Sequence, residues 1–203
     1  MTLVLATRNA GKVRELRALL GALPLRIVPL EEFAGVPPVS EEALSLEENA
    51  AAKAWAACRF TGSGALGEDT GLAVDALGGA PGARAARYFG EGLTDAERVG
   101  RLLEALAGVP EGRRTARFTC AVAIAEPGGR QWVVTGECRG AIPAAPRGTG
   151  GFGYDPVFLV EGLGRTLAEL EPAAKNAVSH RGRAVRGAVP ILERLARGAA
   201  VRP

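Results

Sequence analysis

The sequence predicts an α/β fold with a mixed sheet, and two observations point to it. Strand-like and helix-like segments alternate in the N-terminal part of the chain, which is typical of βα units with parallel strands. Further on, residues 115–126 and 130–142 flank Pro127-Gly128-Gly129 and form the clearest hairpin in the sequence. Because a hairpin pairs its strands antiparallel, the two patterns together predict a sheet of mixed direction.

The N-terminal half divides into elements by its hydrophobic periodicity. Leucines recur at helical spacing after the first apolar run, and Ser45-x-x-Glu48 has the pattern of a capping box at the start of a helix. In chain order the predictions are a strand over 2–7, a helix over 11–23, a strand over 25–30, a helix over 45–60, two short extended pieces around a turn over 65–77, and a Gly/Pro loop leading into a short helix over 78–90.

The C-terminal half begins with a second capping pattern, Thr94-x-x-Glu97, which predicts a helix that ends near Ala107. The hairpin follows, and then a Gly-rich turn over 148–156 leads into a strand over 157–160. The last predicted helix covers about 181–196. Ser179 is its expected N-cap, and Pro190 is expected either to kink it or to start a new helix.

The bulk properties limit the possible functions. At 203 residues the chain is predicted to be one domain, residues 1–203, or two small lobes that share one sheet, and its core needs no disulfides. No apolar run approaches the roughly 18 residues of a membrane span, and MTLVLATRN lacks the regions of a signal peptide. We therefore expect a cytoplasmic location, no membrane partner and reduced, mostly buried cysteines. The net charge of +3 permits an anionic substrate, but the basic residues form no exclusive stripe, so no stable nucleic-acid partner is expected.

Scarce polar residues concentrate in three windows. The chain has 22 arginines but only three lysines, and 18 glutamates but only four aspartates. With this bias, a position that keeps lysine is one where the planar fork of arginine would serve badly. Each lysine lies within four residues of one of the three asparagines: Lys12 near Asn9, Lys53 near Asn49, and Lys175 beside Asn176. The three windows are therefore candidate functional segments.

The first window is T-R-N-A-G-K, residues 7–12, between a predicted strand and a predicted helix. Backbone N–H groups and a helix N-terminus in this position can bind phosphate, with Thr7 and Asn9 as added donors and Lys12 as a compact charge. The alternative is an ordinary βα turn with asparagine at a bend. The segment is not a Walker A loop, because the first required glycine would fall at Ala6.

Two acids follow in the next segments. Glu48 would lie at the end of an apolar helical stripe, where it either serves only the capping box or binds a metal, and a sparse oxygen site suits Mg²⁺. In E-D-T-G-L, residues 68–72, Glu68 and Asp69 would point to opposite faces of a strand. A Thr-Gly turn would place the acid at a strand end, where sites of α/β sheets collect, although Asp69 could equally be a turn-forming residue.

The segment GTGGFGYDP, residues 148–156, contains G-x-G-x-x-G but no helix follows it, so it is not a dinucleotide fingerprint. Phe152 among its glycines either stacks on a planar group such as a base or is a core aromatic in a tight turn. In the last window, Ser179 and His180 are adjacent on a helix and do not face each other. A Ser-His nucleophile pair is therefore not expected, and a single histidine excludes a two-histidine metal site.

Five segments, in order and spacing, resemble the inosine triphosphate pyrophosphatase family of the bacterial dITP/XTP pyrophosphatase type: TRNAGK, SLEENAAAKA, EDTGLAVDALGGAPGARAARY, GGFGYDPVF and KNAVSHRGRA. The resemblance runs from about residue 2 to 197. It implies a long mixed sheet flanked by helices, with two lobes of one catalytic domain and an active-site cleft between them. It also implies a homodimer, a Mg²⁺ requirement, and cleavage of ITP, dITP and XTP to the monophosphate and pyrophosphate.

The resemblance also implies roles for individual residues. Asp69 would be the general base near the metal, Glu48 a metal ligand, and Phe152 the ring that stacks on the base. The role of Glu68 stays open, and Asn176 receives none. The implied substrate contacts are Thr7, Arg8, Asn9, Ala10, Gly11, Lys12, Lys53, Thr70, Phe152, Gly153, Tyr154, Asp155, Lys175, His180 and Arg181.

These roles lead to two hypotheses and leave two alternatives. Water would attack the α-phosphorus with Asp69 as base, and donors from His180 and Arg181 would select bases with an oxygen at C6 over adenine. One alternative is a pyrophosphatase for another modified nucleotide. The other is a non-enzymatic nucleotide or nucleic-acid binder, suggested by the basic pI.

Overall fold

The computed structural model describes residues 1–37, 39 and 45–198. Its strands are β1 (Thr2–Leu5), β2 (Arg26–Pro29), β3 (Gly64–Val74), β4 (Pro81–Gly82), β5 (Thr115–Ala125), β6 (Gln131–Ala141) and β7 (Leu159–Val160). Its helices are α1 (Ala10–Leu20), α2 (Leu46–Thr61), α3 (Asp95–Ala105), α4 (Pro172–Val178) and α5 (His180–Ala196). None of the helices in these ranges combines the length and hydrophobicity that a membrane span requires.

The strands form one mixed sheet in the order β2-β1-β3-β5-β6-β7, with β4 paired to β3 beside this path. Strand β1 runs parallel to β2 and β3, so that Leu3 pairs with Ile27 on one side and Gly64 on the other. The β3–β4 and β6–β7 pairs are antiparallel. The predicted mixed sheet is therefore confirmed, with β5 and β6 as the predicted hairpin.

The chain folds into two compact units. Unit 1 comprises the described residues within Met1–Asp69, Cys120–Gly136 and Arg181–Pro203. Unit 2 comprises Thr70–Thr119 and Glu137–His180. Strands β3, β5 and β6 contribute residues to both units. The single catalytic domain over residues 1–203 stays a prediction, and the functional residues are described below within their own units.

The core of unit 1 lies on both faces of its strands. Because side chains alternate along a strand, Leu3 and Leu5 of β1 pack with α1 and α5, whereas Val4 packs with α2. Helix α2 meets the sheet through alanines, and a Cβ at Gly67 of β3 would collide with the Ala50 carbonyl. This close approach brings the first turns of α2 against the part of β3 that carries Glu68 and Asp69.

Unit 2 has a separate core, in which α3 packs through Val99 and Leu102 against residues of β3 and β5 such as Leu72 and Phe118. Helix α3 begins with the predicted capping box: the Thr94 N–H donates to Glu97 at 2.7 Å, and the Glu97 N–H donates to the Thr94 hydroxyl at 3.3 Å. The three cysteines, two in unit 1 and one in unit 2, are buried and outside any disulfide.

The structure corrects the prediction for residues 65–77. They do not form two pieces around a turn, because β3 runs without interruption from Gly64 to Val74. Gly71 serves close packing rather than a turn, since a Cβ there would lie 2.9 Å from the Gly82 carbonyl oxygen of β4. Asp69 therefore lies inside a strand and not at its end.

The structure differs from the predictions at other places as well. No helix forms within 78–90, where Gly78, Gly79 and Gly82 have positive φ angles that interrupt a helix, and β4 and turns form instead. Helix α4 was not predicted, although a proline at its first position is a start signal. The predicted strand over 157–160 is shorter, and α5 continues through Pro190 without a new start.

Candidate active site

Asp69 of β3 is held by two side chains from α2 in unit 1. Lys53 Nζ donates to Asp69 Oδ1 at 2.7 Å, and Asn49 Nδ2 donates to Asp69 Oδ2 at 3.0 Å. Residues four apart lie on one face of a helix, so a single face of α2 supplies both donors. Lys53 also reaches the Glu68 carbonyl at 3.3 Å. The Asp69 carboxylate is only 6% exposed and is fixed in orientation as an acceptor.

Glu68 points to the other face of β3, as predicted, and meets residues of α1 and α5. Its carboxylate accepts two hydrogen bonds from Arg181, at 2.7 Å from Nε and 2.8 Å from Nη2. Arg181 Nη1 donates to Glu15 of α1 at 2.5 Å, and Lys12 Nζ lies 3.4 Å from Glu68. Glu68 is 1% exposed and Arg181 is 2% exposed, so this ionic network is buried.

The buried guanidinium keeps its charge because of its partners. Burial by itself would lower the pKa of Arg181, but the charge and hydrogen bonds of Glu68, with Cys120 and Glu15 adding to them, raise that pKa well above its ordinary value. Three cations and three carboxylates thus form two groups of ion pairs in unit 1, one on each face of β3, and their formal charges cancel. They are Lys12, Lys53, Arg181, Glu15, Glu68 and Asp69.

Hydrogen bonds between side chains and backbone N–H groups within residues 7–12 hold the predicted phosphate loop in its conformation. Thr7 Oγ1 accepts the Asn9 N–H at 3.2 Å, and Asn9 Oδ1 accepts the Lys12 N–H at 3.0 Å, so Asn9 is the N-cap of α1. The N–H groups of Ala10 and Gly11 lie in the first turn, where the helix offers them no carbonyl acceptor. The loop therefore presents backbone donors and the positive end of α1 beside Lys12.

Glu48 lies in the first turn of α2, and Arg8 belongs to the loop 7–12. The Glu48 N–H donates to Ser45 Oγ at 3.1 Å, which is the one bond of the predicted capping box that the structure shows, and the Glu48 side chain is exposed. Arg8 Nη2 donates to the Val36 carbonyl at 2.6 Å. Within the described ranges, no group of three or more His, Cys, Asp or Glu side chains is arranged to hold a metal ion.

In unit 2, Phe152 lies half-exposed on the Gly-rich loop. Its N–H donates to Asp155 Oδ2 at 2.7 Å, and the same carboxylate forms an ion pair with Lys175. The Lys175 Nζ lies 4.9 Å from the centre of the Phe152 ring. A Cβ at Gly151 would collide with Asp155, which explains a glycine there. Phe152 therefore lies outside the core, with Lys175 beside its ring. Of the two alternatives that the sequence allowed, the core aromatic is the wrong one.

Tyr154 is the core aromatic of this loop. Its hydroxyl donates to the Ala85 carbonyl at 3.0 Å, and burial raises the pKa of Tyr154 to about 12. The preceding N–H, from Gly153, donates to Asp95 of α3 at 2.7 Å. The predicted contacts Gly153, Tyr154 and Asp155 thus fix the loop in place around Phe152.

His180 is packed as an aromatic ring. It is buried and stacks on Phe118, with ring centres 4.5 Å apart and planes inclined by 16°. Ser179 separates α4 from α5 in an extended conformation. Thr70, where the unit 2 part of β3 begins, is half-buried.

The comparisons with known proteins agree with this geometry. The sequence profile of the Ham1 family matches residues 3–191. The chain belongs to the Ham1 family. Its relatives include the dITP/XTP pyrophosphatase of Geobacter sulfurreducens, which is 51% identical over 183 residues and is matched over 90% of this chain and 92% of that protein. The resemblance inferred from the five segments is therefore confirmed at the level of the family.

Solved structures of Ham1 proteins also match the fold. A HAM1 protein from Coxiella burnetii superposes with a TM-score of 0.85 at 41% identity, covering 95% of this chain and 98% of that one. A nucleoside-triphosphatase, also called dITP/XTP pyrophosphatase, from Mycobacterium abscessus gives a TM-score of 0.74 at 41% identity, covering 94% and 100%.

Sequence reasoning missed three residues of this Ham1-family chain that contact the predicted ones. Glu15 binds Arg181, Asn49 binds Asp69, and Asp95 binds the loop that carries Phe152. Asn49 lay in a window of scarce residues, and Asp95 is one of only four aspartates. Glu15 is the one acidic residue of α1, and this isolated negative charge was the only feature of the sequence that could have pointed to it.

Proposed function

We propose that this Ham1-family chain hydrolyses the non-standard purine nucleotides ITP, dITP and XTP to the monophosphate and pyrophosphate. The observation that carries the proposal is the pairing of Asp69 with Lys53 and Asn49, because it holds a carboxylate as an oriented acceptor beside a cation. The relatives are named dITP/XTP pyrophosphatases, and this activity supports the substrate class.

The triphosphate would bind the groups of unit 1 that carry positive charge or N–H donors. The charges are those of Lys12 and Lys53. The first turn of α1 contributes N–H groups that have no acceptor within the helix, and the loop before it contributes the side chains of Thr7, Arg8 and Asn9. The six buried or half-buried charges of the two ion-pair groups cancel, so a triphosphate would add uncompensated negative charge. A further cation would therefore favour binding.

We propose Mg²⁺ as that cation. Glu48 and Asp69 would hold it, together with oxygens of the substrate. The donor chemistry fits, because Mg²⁺ in nucleotide sites typically takes one or two carboxylates plus phosphate oxygens and needs no three-carboxylate cage. When bound, Mg²⁺ neutralises the charge that develops on the leaving pyrophosphate.

The chain's own residues would then carry the hydrolysis. A water attacks the α-phosphorus and gives its proton to Asp69, and the bond from the α-phosphorus to the bridging oxygen breaks to release pyrophosphate. Lys53 and Asn49 keep the Asp69 carboxylate in one orientation throughout. Phe152 would stack on the purine, supported by Lys175 and Asp155, with Thr70, Gly153 and Tyr154 beside the substrate. His180 and Arg181 would recognise the oxygen at C6.

A panel of nucleoside triphosphates tests this function. ITP, dITP and XTP should each give equal amounts of monophosphate and pyrophosphate, faster than ATP and GTP, and only with Mg²⁺. Asp69→Asn should lower kcat about 10²–10⁴-fold, as removal of a general base does, while nucleotide binding persists. Release of nucleoside diphosphate and phosphate, or full activity of Asp69→Asn, would contradict the proposal.

We also propose that the protein acts in the cytoplasm as a homodimer without a stable nucleic-acid partner. Light scattering under assay conditions should give twice the monomer mass of 20.9 kDa. A monomeric mass at full activity would contradict the dimer.

A further inference from the structure

We propose that Asp95 is a positioning residue that holds Phe152 in the conformation in which its ring meets the base. The inference deepens the proposed function and rests on it for the identity of the ligand. The Gly153 N–H donates to Asp95 Oδ2 at 2.7 Å, and 58 positions of sequence separate the two residues. Asp95 thus ties the Gly-rich loop to the start of α3 within unit 2.

The hydrogen bond from Gly153 to Asp95 restricts the backbone conformation of Phe152. A residue has two soft backbone dihedrals, and these relate the peptide planes on its two sides. The N–H of the plane before Phe152 donates to Asp155, and the N–H of the plane after it donates to Asp95. Both planes are therefore held by carboxylates, which fixes φ and ψ of Phe152 and the direction in which its ring leaves the backbone.

The two carboxylates are themselves anchored. Asp155 is paired with the buried Lys175. Asp95 is the first residue of α3, and its other carboxylate oxygen pairs with Arg98 at 2.9 Å. Gly153 has a φ of +63°, which glycine adopts without steric cost, and because glycine is also free to adopt other conformations, the hydrogen bond to Asp95 restricts it.

A second explanation for Asp95 has to be separated from this one. An acidic residue in the first turn of a helix interacts favourably with the helix dipole, so Asp95 could simply stabilise α3. Glu97 provides the matched control, because it lies in the same turn and completes the capping box without contacting the loop. Loss of Glu97 should weaken α3 and leave the Gly153 contact intact.

The test compares Asp95→Ala, Asp95→Asn and Glu97→Ala by amide hydrogen exchange and by steady-state hydrolysis of ITP. In Asp95→Ala we expect exchange at Gly153 to accelerate and KM for ITP to rise about fivefold with kcat within about twofold, as loss of one hydrogen bond to a partly exposed charged acceptor predicts. Asp95→Asn should recover most of the binding, because its amide oxygen can still accept. Glu97→Ala should lower Tm without changing KM.

A double-mutant cycle with Phe152→Leu completes the test. If Asp95 acts through Phe152, then Asp95→Ala should add no further rise in KM in the Phe152→Leu background. Equal KM changes in Asp95→Ala and Glu97→Ala, or full additivity with Phe152→Leu, would overturn the positioning role. Should the wild-type protein fail to hydrolyse ITP, the proposed function fails, while exchange at Gly153 still decides the contact: unchanged protection in Asp95→Ala would refute it.

Discussion

Asn49 donates its Nδ2 hydrogen to Asp69 Oδ2 at 3.0 Å and is itself only 2% exposed. Because a carboxylate can only accept, the amide must turn its nitrogen toward Asp69 and its Oδ1 away from it. That Oδ1 is buried and has no hydrogen-bond partner within the part of the chain that the structure describes. A buried acceptor without a donor is unfavourable.

This relationship makes Asn49 a sensitive position for the rate of reaction. Asn49→Ala removes one of the two donors that orient Asp69, and a hydrogen bond to a charged group contributes about 1.5–3 kcal/mol. We expect kcat for ITP to fall about tenfold to a hundredfold, with KM changed far less. Pyrophosphate release at varied ITP concentration measures both values.

The control for Asn49 is its neighbour Glu47, which is exposed in the first turn of α2 and does not face Asp69. Glu47→Ala should keep kcat within about twofold, as surface changes usually do. An Asn49→Ala protein that folds normally and keeps wild-type kcat would show that Lys53 alone orients Asp69.

Lys53 is predicted to tolerate arginine poorly. Its ammonium lies between two oxygens, Asp69 Oδ1 at 2.7 Å and the Glu68 carbonyl at 3.3 Å, and its side chain is 11% exposed. A compact ammonium fits such a place better than the larger planar guanidinium. We expect Lys53→Arg to lower kcat at least about tenfold. Arg59→Lys, an exposed change on the same helix, should stay near wild type, and equal activity of both variants would contradict the argument.

The sequence predicted most elements of the fold but misjudged Gly71 of β3, which was expected to make a turn. A Gly beside a Thr has the same local pattern whether it makes a turn or allows close packing. At Gly67 and Gly71 the structure shows close packing, against the Ala50 carbonyl of α2 and the Gly82 carbonyl of β4. Those partners come from other segments of the chain, so local pattern could not distinguish the two cases.

The site was predictable where a residue type was scarce and unpredictable where its partner lay far away in sequence. The three lysines were identified by scarcity alone, and all three form buried or half-buried ion pairs, Lys12 with Glu68, Lys53 with Asp69 and Lys175 with Asp155. Arginine is abundant, so Arg181 stood out only through the family resemblance. Its partner Glu68 is 113 positions away, a separation that no periodicity reveals.

Arg181 is expected to control stability as well as substrate choice. Arg181→Ala would remove the guanidinium that pairs with the buried carboxylates of Glu68 and Glu15, and breaking a buried ion pair from one side costs about 3–5 kcal/mol. Urea unfolding should show a loss of this size. Arg183→Ala, an exposed change in the same helix, should remain within about 0.5 kcal/mol of wild type.

The same Arg181 variant tests the recognition of the base. If enough of it folds under stabilising conditions, the ratio of kcat/KM for ITP over ATP should fall, because a donor to the C6 oxygen is lost. If the ratio of kcat/KM for ITP over ATP is unchanged, Arg181 does not recognise the base and serves only the ion pairs with Glu68 and Glu15.

The capping box of α3 predicts a dependence of stability on pH. Hydrogen bonds from the Thr94 backbone and hydroxyl lower the pKa of Glu97 below its ordinary value of 4.5 in the folded protein. A carboxyl whose folded-state pKa is lowered contributes stability above its unfolded pKa, and this contribution disappears as the pH falls through the folded value.

In Glu97→Gln the side chain can still cap but carries no charge. We therefore expect the wild type to have the higher Tm at neutral pH and the difference to close below about pH 4.5. Thermal unfolding of both proteins from neutral pH into acid measures this, and a difference that stays constant or grows in acid would refute the assignment.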